Sequence, residues 1–215
     1  QAKVNDMIGR FISLEGVDGA GKTTHLEFLS DYLVKRHFTV LITREPGGTN
    51  AGEQLRSILL DATEPIEPLT ELLMMFAARA EHVQKVIRPA LLAGTWVLCD
   101  RFTDATYAYQ GGGRGIDSRN IEVLEGMTHG DLSPDLTFLL DLPVEIGLRR
   151  RRGLDRSRDR FESLDLAFKQ RVRLAYLARS EAEPRMLCLD GTLPIETIQH
   201  EMGGKLGQLL EELAL

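Results

Sequence analysis

The chain has 215 residues and a formal net charge of −6 at pH 7, which fits one α/β domain with a sizeable core and argues against a broad nucleic-acid-binding face. A membrane-spanning helix needs about 18 or more consecutive apolar residues, and no apolar segment of this sequence is that long. The only cysteines, Cys99 and Cys188, lack a metal-type or Cys-x-x-Cys spacing. We therefore expect a cytoplasmic protein that binds neither membrane nor nucleic acid.

The amino-terminal end differs from the rest of the chain. Residues 1–6 are polar and precede Met7, so we expect them to be an expression remnant or a disordered extension. No repeat or long linker divides residues 7–215. These residues are therefore predicted to form a single domain.

Residues 16–23 carry the pattern Gly-x4-Gly-Lys-Thr between an apolar run that ends at Leu14 and a helical pattern that includes Leu26. A strand, a glycine loop and a helix are the context of a polyphosphate-binding loop. Lys22 is expected to contact the β and γ phosphates, and the Thr23 hydroxyl to bind Mg²⁺. The predicted ATP contacts are Gly16, Val17, Asp18, Gly19, Ala20, Gly21, Lys22, Thr23 and Thr24.

Asp18 is unusual in a loop that attracts anions. If its carboxylate pointed inward, it would repel a triphosphate. We therefore expect Asp18 to face a second ligand, with a helix-capping or solvent-facing aspartate as the simpler alternative.

A second apolar run, residues 38–43, predicts a buried strand that ends at the loop Arg44-Glu-Pro-Gly-Gly-Thr49. Ligands of open α/β sheets bind at the carboxyl ends of the strands. Residues 53–60 then show helical spacing, with Arg56 on the polar side. Arg44 and Arg56 are therefore candidates for anion binding.

The longest helical pattern covers residues 71–92. Met75, Phe76 and Arg79 can share one face of this helix, since Arg79 follows the other two by four and three positions. From spacing alone, core packing with an arginine that extends to the surface is the simpler interpretation.

A third strand signal, residues 94–99, ends in Asp100-Arg101. A carboxylate directly after a buried strand of a P-loop protein is placed to reach Mg²⁺, usually through water, and Arg101 is placed to bind an anion. A polar, aromatic helix follows with Thr106, Tyr109 and Gln110. The glycine run 111–115 predicts a flexible segment.

A basic segment, residues 149–160, follows a fourth strand (134–141) and a helix (143–148). Such a density of arginine is self-repelling unless an anion neutralises it. A solvated face and an RNA-binding patch are the alternatives, although no aromatic residues are interleaved. We favour a mobile lid over a bound polyphosphate.

A helix (164–182), a fifth strand (185–190) and a helix (194–213) complete the chain. Alternating strands and helices predict a parallel sheet that is covered on both faces. The expected fold is therefore an α/β P-loop NTPase fold with about five parallel strands and helices on both faces.

Three classes of P-loop protein fit this fold: kinases, GTPase switches and ATPase motors. The chain lacks an Asn-Lys-x-Asp guanine-reading segment and has little room for a motor's partner domains. Several arginines near one sheet edge suggest a phosphorylated acceptor, because guanidinium pairs bidentately with phosphate oxygens. A phosphate monoester is largely ionised at neutral pH, so this acceptor needs no general base. The arginines are Arg44, Arg56, Arg79 and Arg101.

Several motifs, in this order, resemble bacterial thymidylate kinases (dTMP kinases). They are residues 16–24, Arg44-Glu-Pro-Gly-Gly-Thr49, Phe76-Ala-Ala-Arg79, Asp100-Arg101, Tyr109-Gln-Gly-Gly-Gly-Arg-Gly115 and Asp159-Arg-Phe-Glu162. The resemblance implies one kinase domain over residues 7–215 that converts ATP and dTMP into ADP and dTDP for dTTP synthesis. It also implies Mg²⁺ and a cytosolic homodimer. The alternatives are a monophosphate kinase of other or broad specificity and a P-loop regulatory or nucleic-acid-binding ATPase.

The resemblance assigns residues to the sugar and phosphate of dTMP. Asp18 would bind the 3′-hydroxyl group, and Tyr109 would crowd the 2′ carbon. Arg101 would bind the acceptor phosphate with help from Arg44 and Arg56.

It likewise assigns residues to the base. Arg79 would bond the thymine edge, and Thr106 and Gln110 would help to hold the ring. The residue that stacks on thymine would be Phe76 or, at the position that many relatives use, Met75.

Catalysis would depend on Lys22, Arg101 and arginines of the lid, residues 149–160. Gly19 occupies the position where some relatives carry a catalytic arginine, and the basic lid resembles the subgroup that supplies this group from the lid. Arg156 and Arg158 are our catalytic candidates there, and Arg150, Arg151 and Arg152 are the alternatives. Thr23 and Asp100 would bind Mg²⁺.

Overall fold

A computed structural model describes residues 9–61, 63–152, 160–161 and 164–213. A five-stranded parallel sheet forms its centre, with the strand order β2-β3-β1-β4-β5. The predicted α/β class with about five parallel strands is confirmed. The strands are β1 (Phe11–Glu15), β2 (Val40–Arg44), β3 (Trp96–Asp100), β4 (Leu136–Asp141) and β5 (Met186–Asp190).

The helices lie where the sequence pattern predicts them, but the longest one is interrupted. The pattern over residues 71–92 corresponds to α3, a π-helical segment (Val83–Ile87) and α4 in succession. No helix within the described ranges is long and apolar enough to cross a membrane. The helices are α1 (Lys22–Val34), α2 (Asn50–Asp61), α3 (Pro68–His82), α4 (Arg88–Leu92), α5 (Thr103–Thr106), α6 (Ser118–Thr128), α7 (Val144–Arg152), α8 (Leu166–Ala182) and α9 (Ile195–Leu213).

Helices cover both faces of the sheet. Successive strand residues point to opposite faces, and in β3 Leu98 joins the core cluster that contains residues of α1 and α9. Its neighbours Val97 and Cys99 join the opposite cluster, which contains Leu91 of α4. Strands that are buried on both sides need nearly continuous apolar sequence, which is why the strand positions could be read from the sequence.

The strand order places the predicted ligand-binding segments side by side. β1 lies at the centre, between β3 and β4. Leu14 of β1 pairs with Asp100 of β3, and Arg44 of β2 pairs with the same Asp100. The loops that follow β1, β2 and β3 therefore meet at one carboxyl edge of the sheet, where such folds bind their ligands.

The glycine run is not a flexible segment, and that prediction was wrong for residues 111–113. They belong to a second π-helical segment, Tyr107–Gly113, which packs against α8. A β carbon on Gly112 would lie 2.4 Å from the β carbon of Ala175 in α8. Glycine is therefore needed here for close helix packing and not for mobility.

Candidate active site

The P-loop connects β1 to the start of α1. Gly16, Gly19 and Gly21 have positive φ angles of 137°, 82° and 90°. Lys22 is the first residue of α1, so the free N–H groups and the positive end of the helix dipole lie at the loop. The loop thus has the backbone form of a phosphate-binding site.

Lys22 is largely buried, with 8 % of its surface exposed. Its Nζ atom donates to the carbonyl oxygen of Gly16 at 3.3 Å and lies 3.5 Å from that of Val17. Burial, followed by the positive charge of Arg101, lowers the pKa of the Lys22 amine. A polyphosphate at this loop would supply the negative charge that this pair of cations favours.

Arg101, directly after β3, connects the P-loop to the acceptor side. Its Nη1 atom donates to the carbonyl oxygen of Gly16 at 2.9 Å and to the hydroxyl of Tyr176 at 3.1 Å. Its Nη2 atom donates to Asp18 Oδ1 at 2.8 Å. The backbone of Arg101 has a φ of 71°, which is sparsely populated by residues other than glycine and is often found at functional sites.

A cavity beside Arg101 is lined by most of the residues that the sequence predicts to bind the phosphoryl acceptor. Its charged residues are Asp18, Glu45, Arg56, Arg79 and Arg101. Two neutral polar residues, on α5 and the following π-helical segment, add further polar groups. Apolar side chains form the remaining walls. The full lining is Asp18, Glu45, Pro46, Arg56, Leu60, Met75, Arg79, Arg101, Phe102, Ala105, Thr106, Tyr109, Gln110 and Phe161.

Two of the predicted acceptor residues lie outside this lining. Arg44 is exposed and pairs with Glu53 of α2 at 2.9 Å. Phe76 is 2 % exposed and packs against Leu72 in a core cluster. Adjacent helix residues point in directions about 100° apart, so α3 directs Met75 into the cavity and Phe76 into the core.

Arg79 lines the cavity and is only 3 % exposed. It donates to Glu45 Oε2 at 2.6 Å and to Thr106 Oγ1 at 3.0 Å. Glu45 also bonds His82 Nδ1 at 3.0 Å. Burial alone would raise the pKa of Glu45, but Arg79 and His82 outweigh it and lower that pKa. Among the described residues, the Nη1 atom of Arg79 has no hydrogen-bond partner, so a donor is left for a ligand.

Tyr109 is held in an aromatic cluster between the cavity and α8. Its ring lies 5.9 Å from that of Phe161 and 6.3 Å from those of Phe168 and Tyr176. The guanidinium of Arg101 lies 5.0 Å from the Tyr109 ring centre. These contacts fix the ring as a rigid wall of the cavity.

Asp100 and Thr23 are the residues that the sequence predicts to bind Mg²⁺. Asp100 Oδ1 is buried and has no hydrogen-bond partner in the part of the chain that the structure describes, while Thr23 is exposed at the start of α1. No group of three His, Cys, Asp or Glu side chains within the described ranges forms a protein-only metal site. Mg²⁺ is usually held by one or two protein oxygens together with substrate phosphates and water.

The predicted catalytic arginines of the lid, Arg156 and Arg158, lie outside the described residues. Helix α7 extends to Arg152, and its residues Arg149 and Arg150 are exposed. Arg160 and Phe161, near the end of the basic segment, are described, and Phe161 lines the cavity.

Sequence reasoning missed a set of buried carboxylates around the site. Glu15, the last residue of β1, is 0 % exposed. It accepts hydrogen bonds from the backbone N–H of Phe102 and the hydroxyl of Tyr176, both at 2.7 Å. Tyr176 also accepts a hydrogen bond from Arg101. Glu15 therefore helps to position Arg101 by holding the Tyr176 hydroxyl. A carboxylate that ends an apolar strand was the only sequence signal for this role.

Glu15 gives the protein a pH-dependent stability. Burial, and then the nearby charge of Asp104, raise the pKa of Glu15 from 4.5 to about 8, although Arg101, Tyr176 and the Phe102 N–H oppose the shift. The folded state therefore holds a proton that the unfolded chain has lost at intermediate pH. This stabilising contribution is complete below pH 4.5 and is lost as the pH rises through about 8.

We predict that Glu15→Gln flattens this part of the pH profile. For the parent protein, the Glu15 contribution should lower the free energy of unfolding by up to about 1.4 kcal/mol per pH unit within that window. Urea unfolding at several pH values between 5 and 8 measures both slopes. Equal slopes for the parent and the variant would contradict the assignment to Glu15.

The chain is similar to known proteins along most of its length. Residues 14–202 match the family model described as thymidylate kinase. The chain is 51 % identical over 197 residues to the thymidylate kinase of Methylobacillus flagellatus, covering 91 % of this chain and 96 % of the relative. It is 52 % identical over 207 residues to that of Pseudomonas savastanoi pv. phaseolicola, covering 95 % and 98 %.

A solved structure extends the likeness to the fold. The crystal structure of thymidylate kinase from Ehrlichia chaffeensis superposes with a TM-score of 0.75 at 34 % identity, covering 92 % of this chain and 98 % of the other. The family match, the close relatives and the shared fold all cover most of the chain. This chain therefore belongs to the thymidylate kinase family.

Proposed function

We propose that this protein transfers the γ-phosphoryl group of ATP to dTMP, giving ADP and dTDP for dTTP synthesis. Family membership supports the reaction and both substrates. The observation that carries the proposal is that one cavity is lined both by Asp18 of the P-loop and by three arginines, Arg56, Arg79 and Arg101. We assign residues 7–215 to a single kinase domain that acts in the cytoplasm.

At the phosphate end, Arg101 and Arg56 are assigned to the dTMP phosphate and Asp18 to the 3′-hydroxyl group. Asp18 lines the cavity and accepts a hydrogen bond from Arg101, which lines the same cavity. The positive charge of Arg101 therefore balances the negative charge of Asp18. We assign Arg44 a structural role in stabilising the loop between β2 and α2. Its partner Glu53 also accepts a hydrogen bond from the Gly48 N–H of that loop at 2.9 Å. The phosphate oxygen of dTMP is anionic at neutral pH and attacks without a general base.

At the base end, Arg79 is assigned to a carbonyl oxygen of thymine through its available Nη1 donor. Thr106 and Gln110 complete the polar edge. Met75 takes the stacking position in place of Phe76, because it is Met75 that lines the cavity. A thioether contacts an aromatic ring favourably.

On the donor side, the P-loop backbone, Lys22 and Thr23 are assigned to the ATP phosphates, with Thr23 and Asp100 holding Mg²⁺. When bound there, Mg²⁺ would neutralise negative charge on the ATP phosphates. Gly19 leaves no space for a catalytic arginine in the loop, since its β carbon would lie 2.5 Å from the carbonyl oxygen of Gly147. This supports assigning the additional cation to the lid residues Arg156 and Arg158.

We also propose that the protein forms a homodimer. Leu69 and Leu73 on α3 are 58 % and 48 % exposed, and Val123 and Met127 on α6 are 62 % and 77 % exposed. Each pair has the i, i+4 spacing of one helix stripe, and α3 and α6 pack against each other through Leu72 and Ile121. Exposed apolar stripes on adjacent helices are typical of a protein interface, and sedimentation equilibrium measures the mass directly.

The reaction is tested by following the phosphoryl group. ATP labelled at the γ-phosphate is incubated with dTMP and Mg²⁺, and the products are separated. We expect the label in dTDP, in equal amount to the ADP formed. Label in inorganic phosphate in the presence of dTMP would contradict phosphoryl transfer.

The rigid ring of Tyr109 predicts discrimination against ribonucleotides. We expect Tyr109→Ala to lower the preference for dUMP over UMP by about tenfold, because removing the ring makes space for a 2′-hydroxyl group. Tyr109→Phe is the matched control and should keep the preference. The ratio of the two kcat/KM values measures the effect, and an unchanged ratio in Tyr109→Ala would remove Tyr109 from this role.

A further inference from the structure

Glu71 is a fully buried carboxylate in the first turn of α3. Its Oε1 atom accepts from Gln110 Nε2 at 2.8 Å. Its Oε2 atom accepts from Arg114 Nη2 at 2.9 Å and from Arg160 Nη2 at 2.6 Å. A buried carboxylate destabilises a protein unless such partners surround it. Glu71 therefore depends on these three side chains.

The bond to Glu71 fixes the orientation of the Gln110 side chain. An amide has a donor end and an acceptor end, whereas a carboxylate paired with guanidinium groups only accepts. Nε2 must therefore face Glu71. Gln110 is 1 % exposed and lines the acceptor cavity, so Oε1 is the end of the amide that is left to face a ligand.

An acceptor atom at this position distinguishes between pyrimidines. Thymine and uracil carry a hydrogen on N3 and an oxygen on C4, whereas cytosine has a lone pair on N3 and an amino group on C4. Gln110 Oε1 matches an N3–H donor, and the available Nη1 donor of Arg79 matches an O4 acceptor. Both contacts would be repulsive with cytosine, and unmatched buried polar groups are strongly discriminating.

We propose that Glu71 is a positioning residue that sets base specificity by holding the Gln110 amide with its oxygen toward the base. The proposal rests on the assignment of dTMP as the acceptor. Glu71 does not touch the base itself. Glu71 also holds Arg160 of the described segment 160–161 against α3.

The test compares kcat/KM for dTMP, dUMP and dCMP in the parent protein and in Glu71→Gln. A glutamine at position 71 both donates and accepts, so the Gln110 amide can turn over. We expect the preference for dTMP over dCMP to fall by about 10- to 100-fold. The preference for dTMP over dUMP should stay unchanged, because these two bases share the same N3 and C4 groups.

Simple destabilisation gives a different result, since it lowers activity toward all three nucleotides in proportion. Arg114→Gln is the matched control, because it removes a partner of Glu71 but keeps the bond to Gln110, and it should keep the preference for dTMP over dCMP. If Glu71→Gln does not fold, the double variant with Arg114→Gln removes opposite charges together and is expected to show the same loss.

An unchanged preference for dTMP over dCMP in a folded Glu71 variant would overturn the proposal while leaving the dTMP kinase assignment intact. A parent protein that does not phosphorylate dTMP would instead overturn the proposed function on which it rests.

Discussion

Lys22→Met is expected to lower kcat for dTDP formation by about 10²- to 10³-fold, because a cation directed at the transferring phosphoryl group acts mainly in the transition state. Lys22 is buried at the P-loop and bonds the Gly16 carbonyl. It does not line the acceptor cavity, so the dissociation constant of dTMP should be nearly unchanged. Methionine preserves the length and apolar stem of the lysine, which limits any effect on the fold.

Single-turnover rates and dTMP titrations of the same samples measure the two quantities separately. Lys85→Met is the matched control, since Lys85 is an exposed residue that pairs with Glu81 on the helix surface, and it should leave both quantities unchanged. Loss of dTMP binding in Lys22→Met, with the rate per bound complex intact, would contradict the assignment of Lys22 to the ATP side.

Arg79→Met is expected to destabilise the protein and to weaken dTMP binding. The Arg79–Glu45 ion pair has a distance of 2.6 Å, and each side chain is 3 % exposed. Removing the arginine leaves the buried Glu45 carboxylate with His82 as its remaining side-chain partner among the described residues. Breaking a buried pair in this way costs about 3–5 kcal/mol of unfolding free energy. Loss of the thymine contact should raise the Kd of dTMP by at least about tenfold.

Arg44→Met provides the comparison for both effects. The Arg44–Glu53 pair is similarly short at 2.9 Å, but its side chains are 54 % and 43 % exposed, and such pairs contribute about 1 kcal/mol or less. Urea unfolding measures the stabilities, and calorimetric titration measures dTMP binding. Equal losses of stability in the two variants would show that the burial of Arg79 has no energetic role.

The strands and the P-loop could be predicted because their sequence signals are local. Parallel strands with both faces buried require apolar runs, and β1, β3 and β4 have them. The predicted loop–helix junction at Lys22 coincides with the start of α1. The carboxyl ends of the strands also indicated Arg101 and Asp100, since parallel strands bring their ends to one edge.

Side-chain direction within α3 could not be settled in the same way. Met75 and Phe76 are adjacent apolar residues, and either is compatible with a helix face that includes Arg79. The choice depends on which side of α3 the sheet and α6 occupy, which is a tertiary property. The cavity contains Met75, and the core cluster contains Phe76.

The buried carboxylates were missed for a related reason. Glu15, Glu45 and Glu71 have partners that are distant in sequence, such as Tyr176 for Glu15 and Gln110 for Glu71. One weak signal existed, because Glu71, Met75 and Arg79 are spaced four residues apart along one face of α3. The glycine run was misread because its short side chains serve contact with α8, which the local sequence does not reveal.

The measurement that tests the central claim most directly is the rate of ADP formation from ATP and Mg²⁺ with each nucleoside monophosphate offered separately, beside a control without acceptor. We predict rapid turnover with dTMP and very little without an acceptor, since the cavity formed by Asp18, Arg79 and Arg101 is assigned to dTMP. Equal turnover with and without dTMP would identify an ATPase and would contradict the assignment of this cavity to a phosphoryl acceptor.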